Sequence, residues 1–294
     1  MTFAEAAKRV HTERLPGWKS SKAARQWLLV LEKHAFPKLG DKPISEVSSA
    51  HILEAVQPIW LEKQETARRV KQRIGIILDW GHAHNHRAEP APMRAVDAAL
   101  KKQKRSAKKH FAAMPYRELP EFLHRLDRLE GMGALGLRFL ILTAARSGEV
   151  RGATWNEIDE AARTWTIPSD RMKAGDEHVV PLSDAAISIL DAVKLLRRDV
   201  QQSLLFPGQR IKPMSDMTLA KALKSAGGVG YTVHGMRSSF RDWAAECTDA
   251  PHEVAEAALA HKTSDAVVRA YRRTDFFEKR RDLMIAWAHY LGRM

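Results

Sequence analysis

The side chains best suited to chemistry on an anion are spread over the second half of this sequence. Arg146 stands in Leu142-Thr-Ala-Ala-Arg-Ser-Gly-Glu149, directly after an apolar run. An arginine at such a break lies near the start of the next helix, where free backbone N–H groups also favour negative charge. Ser147 is placed to cap that helix. Lys173 falls in the turn Lys173-Ala-Gly-Asp176 between two strand-like runs. His234-Gly-Met-Arg237 puts an imidazole and a guanidinium three residues apart, on one face where a helix begins. His261 ends Ala258-Leu-Ala-His261, and Tyr271 follows among Arg269, Arg272 and Arg273. These residue types can clamp an oxyanion, move protons and supply a hydroxyl nucleophile. Taken singly they say little, since a lone arginine is usually a surface ion-pair residue and a lone histidine is usually satisfied by a carbonyl.

Two other patterns do not carry chemistry. Gly131-Met-Gly-Ala-Leu-Gly136 spells a dinucleotide-binding fingerprint, but a helical segment precedes it where a strand is required, so it reads as a helix–helix turn. His82, His84 and His86 alternate at the fraying end of a helix, with no carboxylate or cysteine at metal-ligand spacing. No metal and no cofactor is expected.

The elements that must position the first group follow from periodicity. In the first hundred residues, Trp27, Leu28, Leu31, Ala35 and Phe36 recur at helical spacing, as do Ile52, Leu53, Val56, Ile59 and Trp60, with Ser48 or Ser49 as the N-cap of the second run. A third helix is expected from about Gln64 to His82, with Val70, Ile74, Ile77 and Leu78 on one face and Arg68, Arg69, Lys71 and Arg73 largely on others; Pro90 and Pro92 close the region. From Met114 the pattern changes. Helices are expected over Pro120–Glu130 and Leu135–Ala144, then strands at Thr164–Ile167 and His178–Leu182. Helices follow at Asp184–Arg197, Asp216–Ser225, Gly235–Glu246, Pro251–Ala260, Asp265–Arg272 and Phe276–Leu291. The expected class is mainly α with a small antiparallel β-sheet, in two domains: 1–105, a basic linker at 106–113, and 114–294.

Charge narrows the partner. The 294 residues carry a net +13. Residues 1–109 hold 22 basic and 11 acidic side chains, against 26 and 24 in residues 110–294, so the excess lies in the first third. That asymmetry suits a part that grips a polyanion. Besides Arg68, Arg69, Lys71 and Arg73, the candidates for phosphate contact are Lys101, Lys102, Lys104, Arg105, Lys108 and Lys109, in a polar segment that could track a backbone. No signal-peptide pattern is visible, the longest apolar run, Phe139–Ala145, is too short to span a bilayer, and the single cysteine cannot form an internal disulfide, so a cytoplasmic location is expected.

In their order and spacing, Arg146, Lys173, His234, Arg237, His261 and Tyr271 resemble the tyrosine recombinase (phage integrase) family, whose pattern is Arg…Lys…His-x-x-Arg…His/Trp…Tyr. The segments Met114-Pro-Tyr-Arg-Glu-Leu-Pro120, Arg171-Met-Lys173, Val180-Pro-Leu182, Pro213-Met-Ser215, Val233-His-Gly-Met-Arg237 and Ala270-Tyr-Arg-Arg273 look like its prophage and genomic-island integrase branch. The resemblance covers residues 110–294 strongly and 1–105 weakly. Two departures stand out: Ala145 precedes Arg146 where glycine is frequent nearby, and the chain opens on what looks like the core-binding domain, without the arm-binding domain usual in this branch.

The resemblance implies a helical core-type DNA-binding domain, a catalytic domain, and a DNA partner held by homotetramers on synapsed sites, with weak association or monomers otherwise. It implies that Tyr271 attacks a backbone phosphate to form a 3′-phosphotyrosine, that Lys173 protonates the departing 5′ oxygen, and that His234 and His261 hydrogen-bond the phosphate or assist proton transfer. Arg146 and Arg237 have the donor geometry to clamp its nonbridging oxygens. Among the other tyrosines, Tyr116 lies near the linker, Tyr231 only three residues before His234, and Tyr290 on the packing face of the last helix. Two rival readings remain open at this point: a type IB topoisomerase that only relaxes supercoils, and a catalytically silent DNA-binding protein.

Overall fold

The structure is a computed structural model, and it describes residues 1–18, 21–103, 111–172, 175–197, 203–208, 212–261 and 274–292. The chain divides into two compact units, Met1–Lys108 and Lys109–Met294. Lys104, Arg105, Lys108, Lys109, Lys173 and Tyr271, with the helix expected at Asp265–Arg272, lie outside the described residues.

The first unit is helical: α1 (Phe3–Arg14), α2 (Ser21–His34), α3 (Phe36–Leu39), α4 (Ser49–Trp60), α5 (Gln64–Ala83) and α6 (Met93–Ala99). Ser48 is the N-cap of α4. The run from Trp27 to Phe36, expected as one helix, is broken. Ala35 is the N-cap of α3 and Pro37 lies in its first turn, where a missing N–H does no harm but a continuing α2 would have lost a bond. Pro90 and Pro92 lead into α6 rather than simply ending the region, with Pro92 as its N-cap. Val70, Ile74, Ile77 and Leu78 of α5 are fully buried, with Phe3, Leu31, Leu39, Ile52 and Val56. The basic segment starts fastened to this unit: Trp60 Nε1 donates to the Lys101 carbonyl at 2.7 Å, and Gln103 Nε2 to the Trp60 carbonyl at 2.6 Å.

The second unit comprises α7 (Leu119–Asp127), α8 (Met132–Thr143), α9 (Ser147–Arg151), a three-stranded sheet, α10 (Asp184–Leu195), α11 (Asp216–Ser225), α12 (Gly235–Cys247), α13 (His252–Ala258) and α14 (Phe277–Leu291). The sheet is antiparallel in the order β1 (Ile158–Asp159), β2 (Thr164–Ile167), β3 (His178–Pro181). Trp165 faces Val180 and Ile167 faces His178 in its register. β1 was not expected, because two residues leave no alternation to read. Gly131 is the N-cap of α8 at φ +97, so the fingerprint-like glycines open a helix after another helix.

Helix α8 is apolar almost all round and forms the centre of this unit. Leu137, Phe139 and Leu140 are fully buried, and Phe139 packs on Trp165 and Phe206. A helix of this kind has no solvent face and must be surrounded. From α14, Trp287 packs against Phe240 and Trp243 and donates through Nε1 to the Ile141 carbonyl at 2.9 Å. Burying such a side chain is worth about 1.5–3 kcal/mol, so the end of α8 is a rigid place to hang a functional turn.

Candidate active site

The site is built where two helices end. Ala144 caps α8 at φ +49, and Ala260 follows α13 at φ +48. Left-handed residues at helix C-termini swing the chain away and leave the last carbonyls without intrahelical partners. Two arginines take those carbonyls. Arg237, only 4% exposed, donates through Nη1 to the Ala144 carbonyl and through Nη2 to the Leu259 carbonyl at 2.6 Å. Arg146 donates through Nη2 to the Leu259 and Ala260 carbonyls at 3.3 and 3.2 Å. Both guanidinium groups therefore converge on Leu259.

Arg146 is itself the N-cap of α9, in extended backbone, and Ser147 is already the first helical residue. This corrects the expectation that Ser147 caps the helix. The acid supplied at the helix start is Glu149, 5% exposed, whose Oε2 accepts the Arg146 backbone N–H and whose Oε1 accepts Arg146 Nη1, both at 2.8 Å. A buried carboxylate gripping main chain and side chain of one residue fixes that arginine's rotamer. Sequence reading passed over Glu149 because a buried acid and a surface acid look alike in a string. Its position three after Arg146 was the available signal.

His261 completes the group. Its Nδ1 lies 2.8 Å from Glu256 Oε2 and its Nε2 lies 3.2 Å from Arg237 Nη2. Arginine only donates, so Nε2 must accept and Nδ1 must carry the proton given to Glu256. Burial lowers the His261 pKa from its ordinary value, the Glu256 hydrogen bond opposing and Arg237 reinforcing. Arg237 is also lowered, to about 10, first by burial and then by the charge of Arg146, and stays a cation at neutral pH. Its Nε is buried with no hydrogen-bond partner among the described residues. Two cations pressed together, with a donor left over, form an arrangement that an anion would relieve.

His234 is the N-cap of α12, exposed, with its ring edge-on to Phe111 at 4.7 Å. It lies on the same helix start as Arg237, but the contacts that bring Arg146, Arg237 and His261 together do not include it. Gly235 beside it is required: a Cβ there would stand 2.2 Å from the Ala112 carbonyl oxygen. Lys173 and Tyr271 lie outside the described residues.

His178, unforeseen, opens β3. Burial first and then the charge of Arg280 push its imidazole down to about 4, against the pull of Glu149. An unfolded histidine takes up its proton near 6.5, so the unfolded state binds more protons between those values. The stability this neutral side chain confers is present above that window and is lost as pH falls through it, by at most about 3 kcal/mol. Urea denaturation from pH 7.5 to 4.5 should show this loss, and His178→Gln should flatten the slope.

In the first unit the candidate phosphate contacts are less uniform than expected. Arg68 and Arg69 are exposed on α5, paired with Glu65 at 3.9 and 3.0 Å, and Lys71 pairs with Asp97. Such exposed pairs are weak and can be exchanged for phosphate. Arg73 is different: it donates to the carbonyls of Gln26 and Trp27 at 3.2 and 2.9 Å and lies over the Trp27 ring, so its charge is turned inward. Lys101 and Lys102 are exposed. His84 stacks on Trp80 at 4.3 Å, and no group of acids, histidines and cysteine able to hold a metal occurs among the described residues.

With this geometry in place, comparison with known proteins decides the family. Residues 113–278 match the description "Phage integrase family" and residues 3–99 match "Phage integrase central domain". The chain belongs to the phage integrase family. The family's prophage integrase IntA of Escherichia coli K12 is 36% identical over 265 residues, covering 88% of this chain and 62% of that protein. The integrase of enterobacteria phage P4 is 31% identical, covering 90% and 64%. The chain thus spans less than two thirds of the length of these relatives. Among solved phage integrase structures, a lambda integrase (75–356) dimer bound to a COC′ core site aligns with a TM-score of 0.67 at 18% identity, over 90% of this chain and 96% of that one. The Tn1549 transposon integrase (82–397) in complex with circular intermediate DNA aligns at 0.62 and 16%, over 96% and 99%. At these identities the likeness is one of fold: the mainly helical chain with a small antiparallel sheet is the integrase fold.

Proposed function

We propose that this chain is a site-specific DNA recombinase that cleaves and rejoins strands through a covalent 3′-phosphotyrosine on Tyr271, integrating or excising a prophage or genomic island. The observation that carries the reading is the convergence of Arg146 and Arg237 on the Leu259 carbonyl beside His261. A scissile phosphate bound there would meet two guanidinium forks where charge builds on its nonbridging oxygens during attack. Tyr271 loses its proton and its oxygen bonds to phosphorus as the bond to the 5′ oxygen breaks. Lys173 gives that oxygen a proton. His234 and His261 hydrogen-bond the phosphate or pass protons. The phosphotyrosine conserves the diester's energy, so a 5′ hydroxyl from another strand reverses the step.

The charge of the first unit supports a duplex partner held mainly through phosphates, with affinity falling steeply with salt. Relatives bearing the integrase name, and a lambda integrase tetramer described on a Holliday junction, support assembly of four copies on paired sites. No helix among the described residues is long and apolar enough to cross a membrane, and the proposed place of action is the cytoplasm, on the nucleoid. The test uses nicked duplexes drawn from the DNA flanking the gene. Tyr271→Phe should leave binding in a mobility-shift assay intact and abolish the denaturant-resistant protein–DNA adduct. An adduct persisting in that variant removes the assignment.

A further inference from the structure

Arg280 is the deepest charged side chain among the described residues of the second unit, 1% exposed, and nothing in the reaction as described uses it. It projects from α14 and fastens two segments of the described chain together. Nη1 donates to the Val179 carbonyl on β3 at 2.7 Å, Nε to the Asp275 carbonyl at 2.8 Å, and Nη2 to Asp275 Oδ2 at 2.5 Å. Burying a guanidinium is expensive, and an apolar residue of the same volume commonly gives equal or better stability. What the arginine adds is a fixed distance between two strands of chain.

Those two strands matter by sequence. Asp275 follows Tyr271 by four residues and Val179 follows Lys173 by six. The guanidinium therefore holds the chain four residues after the proposed nucleophile to the strand six residues after the proposed acid. The tether on the tyrosine side is also strained. Phe276 holds φ +57 and ψ +35, a left-handed conformation that bulky residues avoid. Such a conformation persists only when its surroundings impose it. Here Thr274 Oγ1 accepts the Phe276 N–H at 3.1 Å and Asp275 Oδ1 accepts the Phe277 N–H at 3.2 Å, while Arg280 holds the other oxygen of that carboxylate.

We propose that Arg280, with Asp275, is a positioning residue that braces the chain behind Tyr271 against the strand behind Lys173, setting nucleophile and acid on a shared anchor. The proposal rests on the reading of Tyr271 and Lys173 given above. A misplacement of about 1 Å at a reacting group can slow chemistry on the order of 10²-fold without touching binding.

The test is single-turnover adduct formation by the full chain on the nicked flanking-DNA duplexes, with the duplex dissociation constant and thermal midpoint measured in parallel. Arg280→Met keeps the volume and removes the brace. It should slow adduct formation about 30–100-fold with DNA affinity within about threefold of wild type. Asp275→Asn, at a side chain 64% exposed, disturbs the fold less and should slow it about 3–10-fold. The double variant should be no slower than Arg280→Met, since both act on one brace. Rates within threefold of wild type in both single variants overturn the proposal, as does a loss in Arg280→Met that disappears on cooling to where wild type and variant are equally folded. If Arg280→Met does not fold, Asp275→Asn decides alone. A wild-type chain that forms no adduct removes the catalytic reading itself, an outcome visible before any variant is compared.

Discussion

Replacing Arg237 by lysine is expected to slow adduct formation by about 10²–10³-fold, although the charge is retained. The reason lies in what the guanidinium does at once: one fork spans the Ala144 carbonyl at the end of α8 and the Leu259 carbonyl after α13, and also reaches His261 Nε2. An ammonium carries its three donors on one nitrogen at the end of a flexible stem and cannot span acceptors that the guanidinium meets from two separate nitrogens. Two helix ends would lose a partner, Arg146 would lose the neighbour that shares the Leu259 carbonyl, and His261 would be free to turn about its bond to Glu256. Duplex affinity should change by less than about tenfold, because most of the proposed phosphate contacts lie elsewhere. Single-turnover cleavage beside a mobility-shift titration measures both. A lysine variant that cleaves at the wild-type rate would mean that this arginine is structural only.

The second large effect is on stability, in the first unit. Arg87 is 9% exposed, and burial lowers its pKa. It donates to the carbonyls of Glu89 at 2.5 Å, Ile44 at 3.2 Å, Val47 at 3.3 Å and Pro90 at 3.5 Å, stitching the chain after α5 to the turn between α3 and α4. The packing there is tight, since a Cβ on Gly81 would stand 2.6 Å from Ile44 Cδ1. Arg87→Ala breaks the buried hydrogen bonds to the carbonyls of Ile44 and Val47 and opens a cavity, and should cost about 3–5 kcal/mol. Hydrogen exchange of the full chain locates the loss: protection should fall in peptides from residues 1–100 and stay unchanged in those from 113–292. Exchange that is unaltered in the first group contradicts the role given to Arg87.

What could be read in the residues, and what could not, divides on physical lines. Helical periodicity located α4, α5, α10, α11, α12 and α14 closely, because a buried stripe repeats over several turns. It missed the break before α3, where apolar spacing runs on across Pro37, and it had no purchase on a two-residue strand. For the site, Arg146, Arg237 and His261, named on order and spacing, lie together in the structure. Their supports were not visible. Glu149 and Arg280 act through burial, and a buried charge carries no mark in composition. Ala145, standing where the resemblance has glycine frequent nearby, suggests a turn that asks little flexibility, yet the residue before it, Ala144, is left-handed.

The proposed chemistry turns on one bond, and peptide mapping of the trapped protein–DNA adduct tests it most directly. Wild-type chain is incubated with the nicked flanking-DNA duplexes, digested with protease and nuclease, and the nucleotide-bearing peptide is sequenced by mass spectrometry. The account predicts a phosphodiester joining the Tyr271 oxygen to a 3′ end, with a free 5′ hydroxyl on the released strand. Attachment at any other residue, such as Tyr231, or through a 5′ phosphate, contradicts it.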